Sequence, residues 1–228
     1  MENYWIKIKE LNFYSIKVRA KTKWKFMEFI SDDNISGIAE ITDTQINSSV
    51  EKIVAKLSNR FRSEKLYNEK NLLEFIIAEE KEAHQNIELA TAISGIRSAF
   101  LDILSKRIGL RLNQFLSLNI AEQLSSTIDL YANINRSLLP DDNGPLERSP
   151  SAFAKKALSV EKRGFKTIKC APFDECQSPF INNSSLPDEA NFGLDRISSI
   201  SESINKKTNL FVDCHSRFDL ESSYLLHD

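Results

Sequence analysis

The sequence predicts an α+β domain followed by a parallel βα series, and three observations carry that prediction. Three strand-like segments joined by turn residues occupy the first 41 residues. Amphipathic helical patterns fill the stretch after them. From Ile128 onward, strand, helix, strand, helix and strand alternate, which is the grammar of a parallel sheet. At roughly 100–200 residues per domain, 228 residues allow one large domain or two small ones. The pattern changes near residue 120, so the expected domains are 1–119 and 120–228.

The elements follow in order. Trp5–Tyr14 reads as a strand through Trp5, Ile6, Ile8, Leu11 and Phe13. Thr22–Ile30 reads as a second, and Asp32, Asn34 and their neighbours supply a turn. Gly37–Ile41 reads as a third, completing an antiparallel meander. Ser48 or Ser49 can cap a helix with Val50, Ile53, Val54 and Leu57 on one stripe. Asn71 opens another. From Leu89 to Leu104 the residues Leu89, Ala92, Ile93, Ile96, Ala99, Phe100 and Ile103 recur at three- and four-residue steps, and small residues at Ala90, Ala92, Ser94, Gly95 and Ala99 permit close packing. Gly109 stops that helix. Ile128–Ile134 reads as a strand, followed by a loop from Pro140 to Arg148. Ser149 and Pro150 mark a helix start with Phe153, Ala157 and Val160 inward, and Gly164 ends it. Phe165–Ala171 is a strand, Pro172–Pro187 a loop, Asn191–Asn205 a helix with Phe192, Leu194, Ile197, Ile200 and Ile204 as its apolar residues, and Leu210–Asp213 a strand. Leu220–Leu226 begins a last helix.

Composition excludes several function classes. Thirty Lys and Arg against 32 Asp and Glu leave a formal charge of −2, so no basic footprint points to nucleic acid. Bases do alternate at Lys17, Arg19, Lys21, Lys23 and Lys25, a pattern read as a solvated strand face, with an anionic contact as the alternative. No segment approaches the roughly 20 apolar residues of a membrane span, and the N-terminus has no signal-peptide pattern. Cys170, Cys176 and Cys214 are an odd set without a CxxC spacing. They fit a reducing cytoplasm and give no zinc motif.

In parallel βα units, sites form at the C-terminal ends of strands. Lys169 closes the strand FKTIK, Asp213 closes LFVD, and His215 stands two residues later. A period of two puts Asp213 and His215 on one side of the strand, with Cys214 on the other. A carboxylate beside an imidazole suits metal binding plus proton transfer. Lys169 could stabilise a developing anion, or act as a base if desolvated. Each residue alone also has an ordinary reading: a turn-forming Asp, a hydrogen-bonded structural His, a snorkelling Lys. Their meeting at successive strand ends favours function.

Five stretches taken in order resemble a known family. They are Gly37-Ile38-Ala39-Glu40, the small-residue helix Ala92-Ile93-Ser94-Gly95-Ile96-Arg97-Ser98-Ala99-Phe100-Leu101-Asp102-Ile103, Tyr131-Ala132, Gly164–Lys169 and Val212–Phe218. The set is similar to the mandelate racemase and muconate lactonizing enzyme branch of the enolase superfamily, and within it to acid-sugar dehydratases of the mannonate and gluconate type. The resemblance implies an α+β capping domain, a three-stranded antiparallel meander plus helices. An incomplete (β/α)8 TIM-type barrel of about three strands would follow. It also implies Mg²⁺-assisted α-proton abstraction beside a carboxylate, an enediolate intermediate and loss of a hydroxyl. By the same resemblance Asp213 is a metal ligand, Lys169 matches the first lysine of a K-x-K pair, and His215 matches the histidine of D-x-H, an acid that protonates the departing hydroxyl. The implied partners are a small carboxylate or sugar-acid substrate, and a homo-oligomer or a complementing C-terminal chain. The segments Phe13–Lys21 and Asp43–Ser49 are those that would contact substrate.

Two departures limit the likeness. The second lysine of K-x-K falls on Ala171, so the usual strand-two base is missing. The 109 residues from 120 to 228 compare with about 250 for a whole barrel. The expectation is therefore a truncated or split form with little activity alone. The alternative is a non-catalytic remnant or an interaction module that pairs with another chain.

Overall fold

The computed structural model describes residues 5–19, 22–43, 48–118, 127–138, 147–176 and 186–227. The chain divides into two compact units, Met1–Ser125 and Ser126–Asp228.

The first unit opens with the expected meander. Strands β1 (Ile8–Arg19), β2 (Thr22–Ser31) and β3 (Ser36–Glu40) pair antiparallel in that order. The register sets Leu11 opposite Phe29, Phe13 opposite Met27, and Met27 opposite Ala39. Because side chains alternate across a strand, this face collects apolar residues, and Met27 and Phe29 are fully buried. β1 begins and ends later than the sequence suggests. Its end is a two-stranded ribbon in which Lys17 faces Lys23. Both are exposed, while Lys25 reaches Glu51 at 3.7 Å. Lys21 lies outside the described residues.

Helix α1 (Val50–Ser58) buries Val50, Val54 and Leu57. Ser49 precedes it, yet its hydroxyl binds Glu88 at 2.5 Å rather than capping, and Ser48 Oγ accepts from Val50 N–H at 3.2 Å. Helix α2 (Glu69–Glu74) starts ahead of Asn71, because Asn68 is the cap and accepts from Asn71 N–H at 3.0 Å. The apolar run after it breaks into a 3₁₀ turn at Ile77–Glu79 and the short α3 (Glu80–Ala83). Helix α4 (Ile87–Arg107) buries Leu89, Ala92, Ile96, Ala99, Phe100 and Ile103 of the stripe read from the sequence, together with Gly95, while Ile93 is only partly buried. Its end is a Schellman turn: Gly109 N–H bonds Lys106 O, Leu110 N–H bonds Ser105 O, and Gly109 takes φ 71°. A short helix α5 (Leu112–Leu116) follows, which the pattern does not announce.

The small residues of α4 have a visible purpose. A Cβ on Gly37 would lie 2.0 Å from Ala99 O, and one on Gly95 would lie 2.4 Å from Ile41 Cγ2. The sheet and the helix touch backbone to backbone there. Asp102 then accepts from Ile38 N–H at 3.0 Å and from Lys106 Nζ at 2.7 Å, pinning β3 to α4.

The second unit holds a parallel sheet in the order β4 (Ala132–Asn133), β5 (Thr167–Cys170), β6 (Asn209–Val212). Helices α6 (Pro150–Glu161), α7 (Asp188–Ser203) and α8 (Leu220–His227) accompany it. Ser149 caps α6 by accepting from Ala152 N–H at 3.2 Å, with Pro150 as the first helical residue. Phe153, Ala157, Val160, Ile168, Cys170 and Ile200 form one core cluster, and Phe173, Cys176 and Ala190 a second. This is a capping domain plus part of a barrel, as the sequence implies.

Two expectations need correction. The strand Ile128–Ile134 shrinks to two residues, since β5 begins at Thr167 and, among the described residues, Ile128 and Leu130 face no partner strand. On α7 the buried stripe is Ala190, Gly193, Arg196 and Ile200, which leaves Phe192 60% exposed. Gly193 selects that stripe, because a Cβ there would meet Phe173 Cδ1 at 2.1 Å. Residues 140–146 and 177–185 of the two predicted loops lie outside the described residues, as do 20–21 and 44–47 of the expected substrate-contacting segments.

Candidate active site

Parallel pairing places the functional side chains. Lys169 lies opposite Phe211 and Cys170 opposite Val212, so Asp213 comes one step beyond the last pair, its N–H donating to Cys170 O at 2.9 Å. Lys169 and Asp213 thus emerge at neighbouring strand ends and meet at 2.8 Å, Nζ to Oδ2. Cys170 turns into the core, as alternation requires.

His215 arrives by a different route from simple alternation. The strand ends at Val212, and His215 and Ser216 take left-handed φ values of 48° and 54°. Asp213 Oδ1 accepts from His215 N–H at 3.0 Å, a turn typical of aspartate. That turn brings His215 Nε2 to 3.5 Å from Asp213 Oδ2 and His215 Nδ1 to 2.7 Å from Asp174 Oδ1. The structure therefore groups Lys169, Asp213 and His215, and it adds Asp174, which the sequence reading missed.

A cleft of about 360 Å³ lies beside them, lined by Asn133, Asn135, Lys169, Ala171, Asp174 and His215. Asn135 is buried and donates to Asp174 Oδ2 at 3.0 Å. Arg148 donates to Asn135 Oδ1 at 2.7 Å, to Ala171 O at 3.0 Å and to Glu175 Oε1 at 2.8 Å. Asp174 directly follows Pro172-Phe173, at the C-terminal side of β5. Strand-end position is the signal that could have found it, but loops carry no periodicity to rank their residues.

The electrostatics follow from these contacts. The hydrogen bond from Lys169 and that from His215 N–H hold the Asp213 carboxyl below its usual range. The same Asp213 bond raises Lys169, so the amine stays an ammonium. That suits it to stabilise an anion and opposes service as a base. Burial pushes the Cys170 thiol up to about 12, which marks it as a packing residue.

The donor set does not by itself fit Mg²⁺, which favours several oxygen ligands. Among the described residues no three His, Cys, Asp or Glu side chains converge on one point. Asp213 Oδ2 already faces the Lys169 ammonium.

Comparison with known proteins bears on the fold. No family model matches the chain. An enolase-superfamily structure from Salmonella Typhimurium matches with a TM-score of 0.79 and 20% identity, over 97% of this chain and 58% of that one. A mandelate racemase/muconate lactonizing enzyme-like protein from Rubrobacter xylanophilus gives 0.78 and 22%, over 97% and 57%. The chain has the enolase-superfamily fold. A mandelate racemase/muconate lactonizing enzyme from Sulfitobacter agrees, with a TM-score of 0.74 and 17% identity over 97% and 56%. Among curated proteins, D-gluconate dehydratase from Thermoproteus tenax is 25% identical over 139 residues, which are 61% of this chain and 24% of that protein. The chain thus spans less than two thirds of the length of each of these proteins.

Proposed function

We propose that the chain carries the Lys169–Asp213–His215 part of a magnesium-dependent, sugar-acid dehydratase-like site, and that it performs little or no dehydration alone. The observation that carries this reading is the meeting of those three side chains at adjacent strand ends. The fold and the D-gluconate dehydratase relative support it. Lys169 supplies a fixed positive charge for a substrate carboxylate as it becomes an enediolate. His215, once protonated, gives the Nε2 proton to a departing hydroxyl; the C–O bond breaks, water leaves, and the resulting enol converts to a ketone. Ala171 supplies no amine, so the acceptor of the α-proton lies outside the residues assembled here. Superfamily members generally use Mg²⁺. Asp213 would contribute one ligand, and further carboxylates would have to complete the set.

A second reading, an interaction module that pairs with another chain, is favoured by one observation. β4 and β6 each have a single strand neighbour among the described residues, and Leu130, Tyr131 and Phe211 beside them are exposed. Such open edges invite pairing. The test is to incubate the purified 228-residue chain with Mg²⁺ and a panel of aldonic and aldaric acids, following keto-acid formation, while light scattering gives its mass. No product is expected. Turnover by the chain alone would contradict the proposal, and stable self-association of the chain without sugar-acid binding would favour the second reading.

A further inference from the structure

We infer that Asp174 is a positioning residue that fixes the tautomer of His215 and aims its Nε2 at the cleft. The role in proton transfer rests on the reading of His215 just given; the geometry stands independently of it. The chain of contacts begins at Arg148, whose guanidinium is anchored on Ala171 O and Glu175 and donates to Asn135 Oδ1 at 2.7 Å. With its oxygen so occupied, buried Asn135 must present its amide N–H to Asp174, which it does at 3.0 Å to Oδ2. The Asp174 carboxylate is thereby oriented, and its other oxygen faces His215 Nδ1 at 2.7 Å.

An ionised carboxylate only accepts hydrogen bonds, so Nδ1 is the nitrogen that carries hydrogen. Nε2 is then the nitrogen without hydrogen in the neutral ring. It sits 3.5 Å from Asp213 Oδ2, too far to be held by it. The main chain is fixed from the other side, since Asp213 Oδ1 accepts from His215 N–H at 3.0 Å in the left-handed turn.

The test is side-chain ¹⁵N NMR of the 228-residue chain at about pH 8.5, above the usual histidine range, with His215 assigned by its loss in His215→Gln. The expected wild-type signature is a protonated Nδ1 and a bare Nε2. Asp174→Ala is expected to return His215 to the Nε2–H form preferred by unconstrained histidine, and Asp174→Glu to restore part of the Nδ1–H signal. A wild-type His215 already in the Nε2–H form overturns the inference, and that measurement needs no variant to fold. An unchanged tautomer in folded Asp174→Ala also overturns it. Both readouts are made without substrate, so the tautomer can be right while the dehydratase reading fails, and the two failures are distinguishable.

Discussion

Glu175 shows how burial and charge oppose each other at a single residue. Burial pushes its carboxyl up, but hydrogen bonds from Arg196 and Arg148 more than offset this and bring it down to about 2. Arg196 spans Glu175 with both terminal nitrogens, at 2.7 and 3.0 Å, and also donates to Pro172 O and Arg148 O. A carboxyl depressed on folding stabilises the folded state above its ordinary value of about 4.3. That stabilisation fades as pH falls through the folded value. Stability of the wild-type chain, measured by urea unfolding, is thus expected to decline between about pH 4 and pH 2 more steeply than that of Glu175→Gln. Parallel pH profiles would show that the pair is not linked to folding. The residues of the site were unequally legible. Lys169 and Asp213 stand at strand ends and could be ranked by position. Asp174 and Asn135 sit in connecting segments, where hydrogen bonding rather than pattern decides what they do.

Elements were legible where one periodicity ran long enough to be satisfied by a single neighbour. Helix α4 is the clearest instance, because its small-residue face has one use, the close approach of β3. Gly37→Ala forces a methyl against the Ala99 carbonyl, and Gly95→Ala forces one against Ile41. Each is expected to cost about 1–3 kcal/mol by overpacking, read as a shift in urea midpoint at constant slope. Substitutions that leave the midpoint unmoved would contradict the backbone contact. The weakly legible elements failed for local reasons. Ile128–Ile134 alternates like a strand but finds only two partners in β5. Asn71 looks like a cap, yet Asn68 three residues earlier makes the bond. Asn71 stands directly before the apolar Leu72 and Leu73, whereas Asn68 is followed by Glu69 and Lys70, so apolar pattern alone points to the wrong asparagine.

At the scale of the molecule, the order of elements identified the architecture better than any one motif did. A meander, a small-residue helix and a parallel βα series in that succession match enolase-superfamily structures over nearly the whole chain, at identities of only 17–22%. At the strand ends Lys169, Asp213, His215 and Asp174 meet, and among the described residues no group of three metal-ligating side chains converges. The most direct measurement is an amide NMR titration of the 228-residue chain with D-gluconate in the presence of Mg²⁺. The account predicts weak, saturable shifts centred on Lys169, Asp213, His215 and Asn135, largely lost in Lys169→Met. Signals that stay fixed at the strand ends, or that move equally in Lys169→Met, would contradict the claim that this cleft receives a sugar acid.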